Sequence, residues 1–194
     1  MIASILPGKE VVKIVLPEGE ESKNIENVVL DLRNSSGQNF TAAAEIIDYI
    51  VPVASEGTGA LYSAKNSAGE IIEQKASDSN AQNLRFAVLV NSRTQSAAEL
   101  IAADIKDFGK GILIGETTAG YGTMQKLFKL SSGGAVYLSV AEIYPYISDT
   151  FNNKGIKPDM IIETSDSFKN QIGNTDLSSD DQYKAAVSYF SANK

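Results

Sequence analysis

The chain has 194 residues, 43% hydrophobic and 21% charged, with a net charge of −7, which is ordinary for one globular domain with a substantial core. The acidic balance repels phosphate backbones and no Lys/Arg cluster offsets it, so nucleic acid is excluded as the expected partner. The sequence contains neither Cys nor His, which removes thiol nucleophiles, disulfides, cysteine metal sites and the commonest general base from this chain. No apolar run approaches the roughly 20 residues needed to span a bilayer, so no integral membrane segment is expected. The start, MIASILPGKE, lacks a basic n-region and has too short an apolar run for a signal peptide. The chain is then either cytosolic or a mature or excised portion of a longer one, and the absence of cysteine suits an extracytoplasmic setting.

In chain order, EVVKIVL at 10–16 is rich in β-branched residues and reads as a strand. The acidic PEGEES at 17–22 reads as a solvated loop, with metal binding the alternative. NVVLDLR at 27–33 has the continuous apolar pattern of a strand buried on both faces. After the turn NSSGQN, a helix places Ala43, Ile46, Ile47 and Ile50 on one face, with Thr41 as N-cap and Pro52 beyond the end. Residues 59–76 read as a hairpin turning at NSAG, and 84–90 as another buried strand. A helix follows with Ala97, Ile101, Ile105 and Phe108 on one face and Gly109 at its end, then a strand at 111–116. KLFKLSSGGAVYLSVAEIY reads as a second hairpin turning at SSGG. Ser179 and Gln182 have capping-box spacing before a last helix with Tyr183, Val187 and Phe190 in register. Strand–helix–strand units mixed with hairpins argue for a single α/β domain.

The arrangement with most chemical content is strand 84–90, the turn NSRTQ, then Ser96 opening a helix. A hydroxyl there lies beside free backbone N–H groups and the positive end of the helix dipole, and those amides can hold the oxyanion of a tetrahedral intermediate. The alternative is that Ser96, or Thr94, is only an N-cap. Without histidine, a serine nucleophile needs another base, and a buried neutral lysine amine is the usual one.

These segments resemble the carboxy-terminal processing (tail-specific) serine proteases from about residue 27 to the end. NVVLDLRNSSGQN resembles that family's strand and turn ending in Asp-Leu-Arg-Asn and glycine. VNSRTQSAAELIAADIKDFGKGILIGETTAGYGTMQ resembles its nucleophile segment through to its base loop, GIKPDMII its Gly-Ile-x-Pro-Asp element, and DDQYKAAVSYF its last helix. The resemblance implies a crotonase/protease-like fold of stacked ββα units. Residues 27–194 would form the catalytic domain, and 1–26 a strand and acidic loop that could be the remnant of a preceding domain. It implies Ser96 as nucleophile, oxyanion-hole amides at Ala97 and around Gly37, Asp107 as a supporting acid and Gln125 orienting the base. Where the family often has a second glycine, this chain has Gln38. The family's base lysine, twenty-five residues after the serine, falls on Tyr121. Phenols have a reference pKa of about 10 and are protonated at neutral pH, so tyrosine does not replace lysine simply.

The resemblance further implies an extracytoplasmic or cell-envelope location, no metal or organic cofactor, and a polypeptide substrate bound extended through its C-terminal region by β-strand addition. Three readings follow for activity. A base comes from outside this chain, as in a related branch that uses a histidine from the segment before the first catalytic strand. Or Tyr121 has another role and the chain is a pseudo-protease, a peptide-binding or assembly module. Or the chain is a fragment whose missing N-terminal part completes the site; the family's PDZ domain is not recognisable. EIYPYISDTFNNKG also lacks the Pro-Ser-Gly-Arg often found before Gly-Ile-x-Pro-Asp. GETTAGYG has phosphate-loop glycine spacing but Tyr121 and Gly122 at the Lys and Ser/Thr positions. NSS and NFT match the glycosylation sequon. The pairs Glu20–Glu21 and Asp180–Asp181 are explained by solvation and helix-dipole complementarity.

Overall fold

A computed structural model describes residues 2–5, 12–15, 26–52, 59–77, 84–163, 177 and 179–192. Its first sheet has the order β10-β7-β6-β3-β1-β2, with β1 Ile2–Ile5, β2 Val12–Val15, β3 Asn27–Asp31, β6 Arg85–Val90, β7 Gly111–Gly115 and β10 Met160–Ile161. Strands β1, β3, β6, β7 and β10 run parallel, and β2 closes the edge antiparallel to β1. The second sheet is antiparallel, in the order β5-β4-β9-β8, with β4 Ala60–Lys65, β5 Ile71–Ala76, β8 Thr123–Lys129 and β9 Ala135–Tyr144. Both hairpins turn where expected, at NSAG and SSGG. The mixed α/β architecture agrees with the sequence reading. Strand β1 does not appear in that reading, and the acidic segment 17–22 lies outside the described residues.

Period-2 alternation in the parallel strands feeds two cores. Val28, Leu30, Phe86, Val88, Val90 and Leu113 face helices α1 (Phe40–Asp48) and α2 (Ala97–Asp107). That cluster continues to Leu61, Tyr62, Ala64, Met124, Ala141 and Ile143 of the second sheet. On the opposite face, Val29, Ala87, Leu89 and Ile114 receive Ala186, Tyr183 and Phe190 of α3 (Asp181–Ala192). Burying an aliphatic side chain of this size contributes roughly 1.5–3 kcal/mol, which makes these two faces the main source of stability.

Three expected helix details are corrected. Helix α1 is capped by Asn39, whose Oδ1 accepts from Ala42 N–H at 2.9 Å, so Thr41 lies inside the first turn. Helix α3 is capped by Asp180, which accepts from Gln182 and Tyr183 N–H at 3.0 and 3.2 Å, while Ser179 is exposed. Val187 faces solvent, and its neighbour Ala186 fills the core position. Asp180 is also not a solvated acid. It is buried and paired with Arg33 at 2.7 Å, and Arg33 pairs with Asp31 at 2.6 Å. Burial works against the guanidinium charge, but the two aspartates outweigh it and raise the Arg33 pKa. The C-terminal helix is thereby tied to the turn that follows β3.

Candidate active site

Three loops, 32–39, 91–96 and 116–122, leave the carboxyl ends of the adjacent parallel strands β3, β6 and β7. Ligand sites in α/β sheets form at such ends. The loops are laced together. Asn91 Nδ2 donates to Asn34 Oδ1 and its Oδ1 accepts from Asn34 N–H, both at 3.1 Å. Gln95 N–H donates to the Ser35 carbonyl at 2.9 Å and Ala119 N–H to the Thr94 carbonyl at 3.0 Å. Thr94 does not cap the helix. Its hydroxyl donates to the Leu32 carbonyl at 2.9 Å and accepts from Asn91 N–H at 3.0 Å.

Ser96 stands at the junction of β6 and α2 with φ 57° and ψ −115°. These are the angles of the first central residue of a type II′ turn, normally glycine, and holding a serine there costs on the order of 1–3 kcal/mol. The side chain gains little in return: Ser96 is 2% exposed, and its buried Oγ faces Glu99 N–H in the manner of a capping box without completing a hydrogen bond to any described residue. A strained backbone that delivers an unpartnered hydroxyl to a helix N-terminus is a poor helix cap and a suitable nucleophile position.

Glu99, one turn into α2, is fully buried and organises the loop opposite. Its carboxylate accepts from Ser96 N–H at 2.9 Å, Gly120 N–H at 2.7 Å and Tyr121 N–H at 2.8 Å, and from the Thr118 hydroxyl. The loop is braced from behind by segment 152–156. A Cβ on Gly155 would lie 2.2 Å from the Thr118 carbonyl oxygen, and its φ is +68°. Glu99 was missed in the sequence reading, although Ser96-x-x-Glu99 has capping-box spacing.

The expected site residues divide into two groups. Gly37, Ser96 and Ala97 come together: Ala97 N–H donates to the Gly37 carbonyl at 3.0 Å. Tyr121 joins them through its backbone, held by Glu99, but its side chain is 57% exposed and its hydroxyl bonds to no described residue. Gln125 lies on β8 just past a bulge at Met124, exposed and without a side-chain partner among the described residues. Asp107 is at the far end of α2, about 16 Å along the axis from Ser96 at 1.5 Å per residue. There it accepts from Ile147 N–H at 2.9 Å and Ser148 N–H at 2.8 Å. Asp104 accepts from Tyr146 N–H at 3.0 Å, while its other oxygen is buried without a partner. Burial, with Asp107 nearby, pushes the Asp104 carboxyl well above its usual range. A cleft of about 300 Å³ opens at this end, lined by Asp107, Ser148, Asp149 and Lys154, and none of the residues around Ser96 contributes to it. Among the described residues, no group of three or more His, Cys, Asp or Glu could hold a metal ion.

Known proteins are similar to this chain in sequence and fold. The family model described as "Peptidase family S41" matches residues 5–162. A carboxyl-terminal-processing protease of Picosynechococcus sp. is 29% identical over 172 residues, covering 86% of this chain and 38% of that protein. A carboxy-terminal processing protease of Bacillus subtilis is 32% identical over 146 residues, covering 75% and 30%. The solved structure of a photosystem II D1 C-terminal processing protease superposes with a TM-score of 0.62 at 30% identity, covering 71% of this chain and 34% of that one. The chain thus spans about a third of the length of the curated relatives it matches. The family match runs over the strained serine, the glutamate-held loop and the Gly-Ile-x-Pro-Asp brace alike, and the chain belongs to peptidase family S41.

Proposed function

We propose that this is a serine-peptidase domain of the tail-specific type, in which Ser96 is the nucleophile and the chain supplies no general base of its own. The observation that carries this reading is the Ser96 backbone, held at φ 57° with a buried, unpartnered Oγ at the start of α2. In the reaction, Ser96 Oγ bonds to the scissile carbonyl carbon, its proton must pass to a base, and the carbonyl oxygen becomes an oxyanion beside Ala97 N–H. Residue 121 offers a phenol where the resemblance places a lysine amine, and its exposed hydroxyl bonds to no described cation that would ready it to take the serine's proton. The base position is therefore occupied without being filled functionally, and Gln125 has no base to orient.

The substrate is a polypeptide. Strand β8 is the edge of the second sheet and begins two residues after Tyr121, which supports binding of an extended segment by strand addition. The exposed Tyr121 ring would form a wall of that groove. This favours a second reading, a peptide-binding module whose chemistry is absent altogether. An extracytoplasmic location belongs to the same proposal; three Arabidopsis thaliana relatives are described as chloroplastic. The test is a Tyr121→Lys variant offered an unfolded protein. Hydrolysis that a further Ser96→Ala change abolishes supports the nucleophile assignment, whereas a silent variant that still binds the polypeptide favours the module.

A further inference from the structure

The geometry points to Gln38 as the residue that keeps the oxyanion pocket shut. This rests on the reading of Ser96 as nucleophile. The amide next to Ser96, Ala97 N–H, is already engaged by the Gly37 carbonyl at 3.0 Å. A trans peptide carries its C=O and N–H on opposite sides, so with the Gly37 oxygen turned toward Ala97 the Gln38 N–H is turned away. A substrate carbonyl entering the pocket would meet an oxygen where it needs a donor.

Rotating that one peptide by half a turn exchanges the two groups: the Gly37 oxygen leaves, Ala97 N–H is freed and Gln38 N–H enters. Little opposes the rotation elsewhere. Ser36, Gly37, Gln38 and Asn39 are exposed, open space surrounds the Cβ position of Gly37, and the bond to Ala97 is the only one this peptide makes to a described residue. The obstacle is Gln38 itself. The rotation changes ψ of Gly37 and φ of Gln38 by about 180° each, because those two torsions flank the planar peptide. Among the described residues, positive φ outside glycine occurs only at Asn34, Ser96 and Asn153, so Gln38 starts at negative φ and the rotation takes it to positive φ. A side chain with a Cβ resists that region and glycine does not. Gln38 therefore acts through the backbone, as a positioning residue that biases the pocket toward its closed state.

The experiment is amide hydrogen exchange by NMR on the whole chain as wild type, Gln38→Gly and Gln38→Ala. Leu100 N–H, bonded to the Ser96 carbonyl at 3.1 Å on the same helix, serves as the internal reference. Gln38→Gly is expected to speed exchange at Ala97 roughly tenfold and leave Leu100 unchanged. Gln38→Ala, with the same φ preference as glutamine, is expected to stay within about twofold of wild type at both amides. An unchanged Ala97 rate in Gln38→Gly overturns the proposal, and so does an equal acceleration in Gln38→Ala, which would assign the effect to the side chain. Neither outcome involves peptide hydrolysis, so the result is independent of whether any variant cleaves substrate.

Discussion

Ser96 shows how a single residue can be placed against its own conformational preference. Its φ of 57° is a glycine angle, and its hydroxyl bonds to nothing among the described residues. Replacing it with glycine removes both the strain and the buried orphan oxygen, at the cost of a more flexible unfolded chain. Ser96→Gly is therefore expected to raise the unfolding free energy by about 1 kcal/mol, read as a higher urea midpoint with an unchanged slope. A lower midpoint would mean that serine is there for stability. Tyr121 is the converse case. Its backbone is fixed by Glu99 while its side chain stands in solvent, so a change of that side chain is expected to leave packing nearly untouched.

Between elements, Glu99 joins α2 to the loop after β7 through three donors and also holds Ser96 N–H at the start of its own helix. Glu99→Ala leaves three buried or half-buried backbone N–H groups without an acceptor and is expected to cost about 3 kcal/mol or more, measured by denaturant unfolding. A loss below about 1 kcal/mol would show that the loop is held by its other contacts. Much at this scale was legible in the sequence. The buried strands 84–90 and 111–115, helix α2 and both hairpin turns follow from periodicity and turn chemistry. What was not legible is non-local. The Arg33–Asp180 pair joins residues far apart in the chain, and it turned an apparently solvated acid into a buried cap. The orientation of the Gly37–Gln38 peptide, whose Gly37 carbonyl accepts from Ala97 N–H, leaves no mark in composition or spacing. Strand β1 escaped notice because its four residues acquire strand character only by pairing with β2 and β3.

Over the whole molecule, the elements formed by the described residues hold the Ser96 end of α2 and its far end to different standards. Around Ser96 every loop is laced to its neighbours, whereas at the far end Asp104 is buried with one oxygen unsatisfied. Its raised pKa makes protonation favour the fold. That contribution is fully present below the ordinary carboxyl range and is lost as pH rises to the folded-state value. Asp104→Asn keeps an acceptor for Tyr146 N–H and cannot ionise. Its stability is expected to gain on wild type by about 1.4 kcal/mol per pH unit through that window and to run parallel above it. Unfolding free energies measured at several pH values would expose a constant difference if Asp104 were an ordinary carboxylate.

The central claim, a domain with a positioned nucleophile and no base of its own, is tested most directly by hydrolysis of an unfolded protein from neutral to alkaline pH. The unaltered chain should be silent, and Tyr121→Lys should raise the rate by at least about a hundredfold, the usual contribution of a positioned general base. Ser96→Ala in that background should return it to silence. Hydrolysis by the unaltered chain that Ser96→Ala alone abolishes would contradict the account, because it would show a working base in this chain.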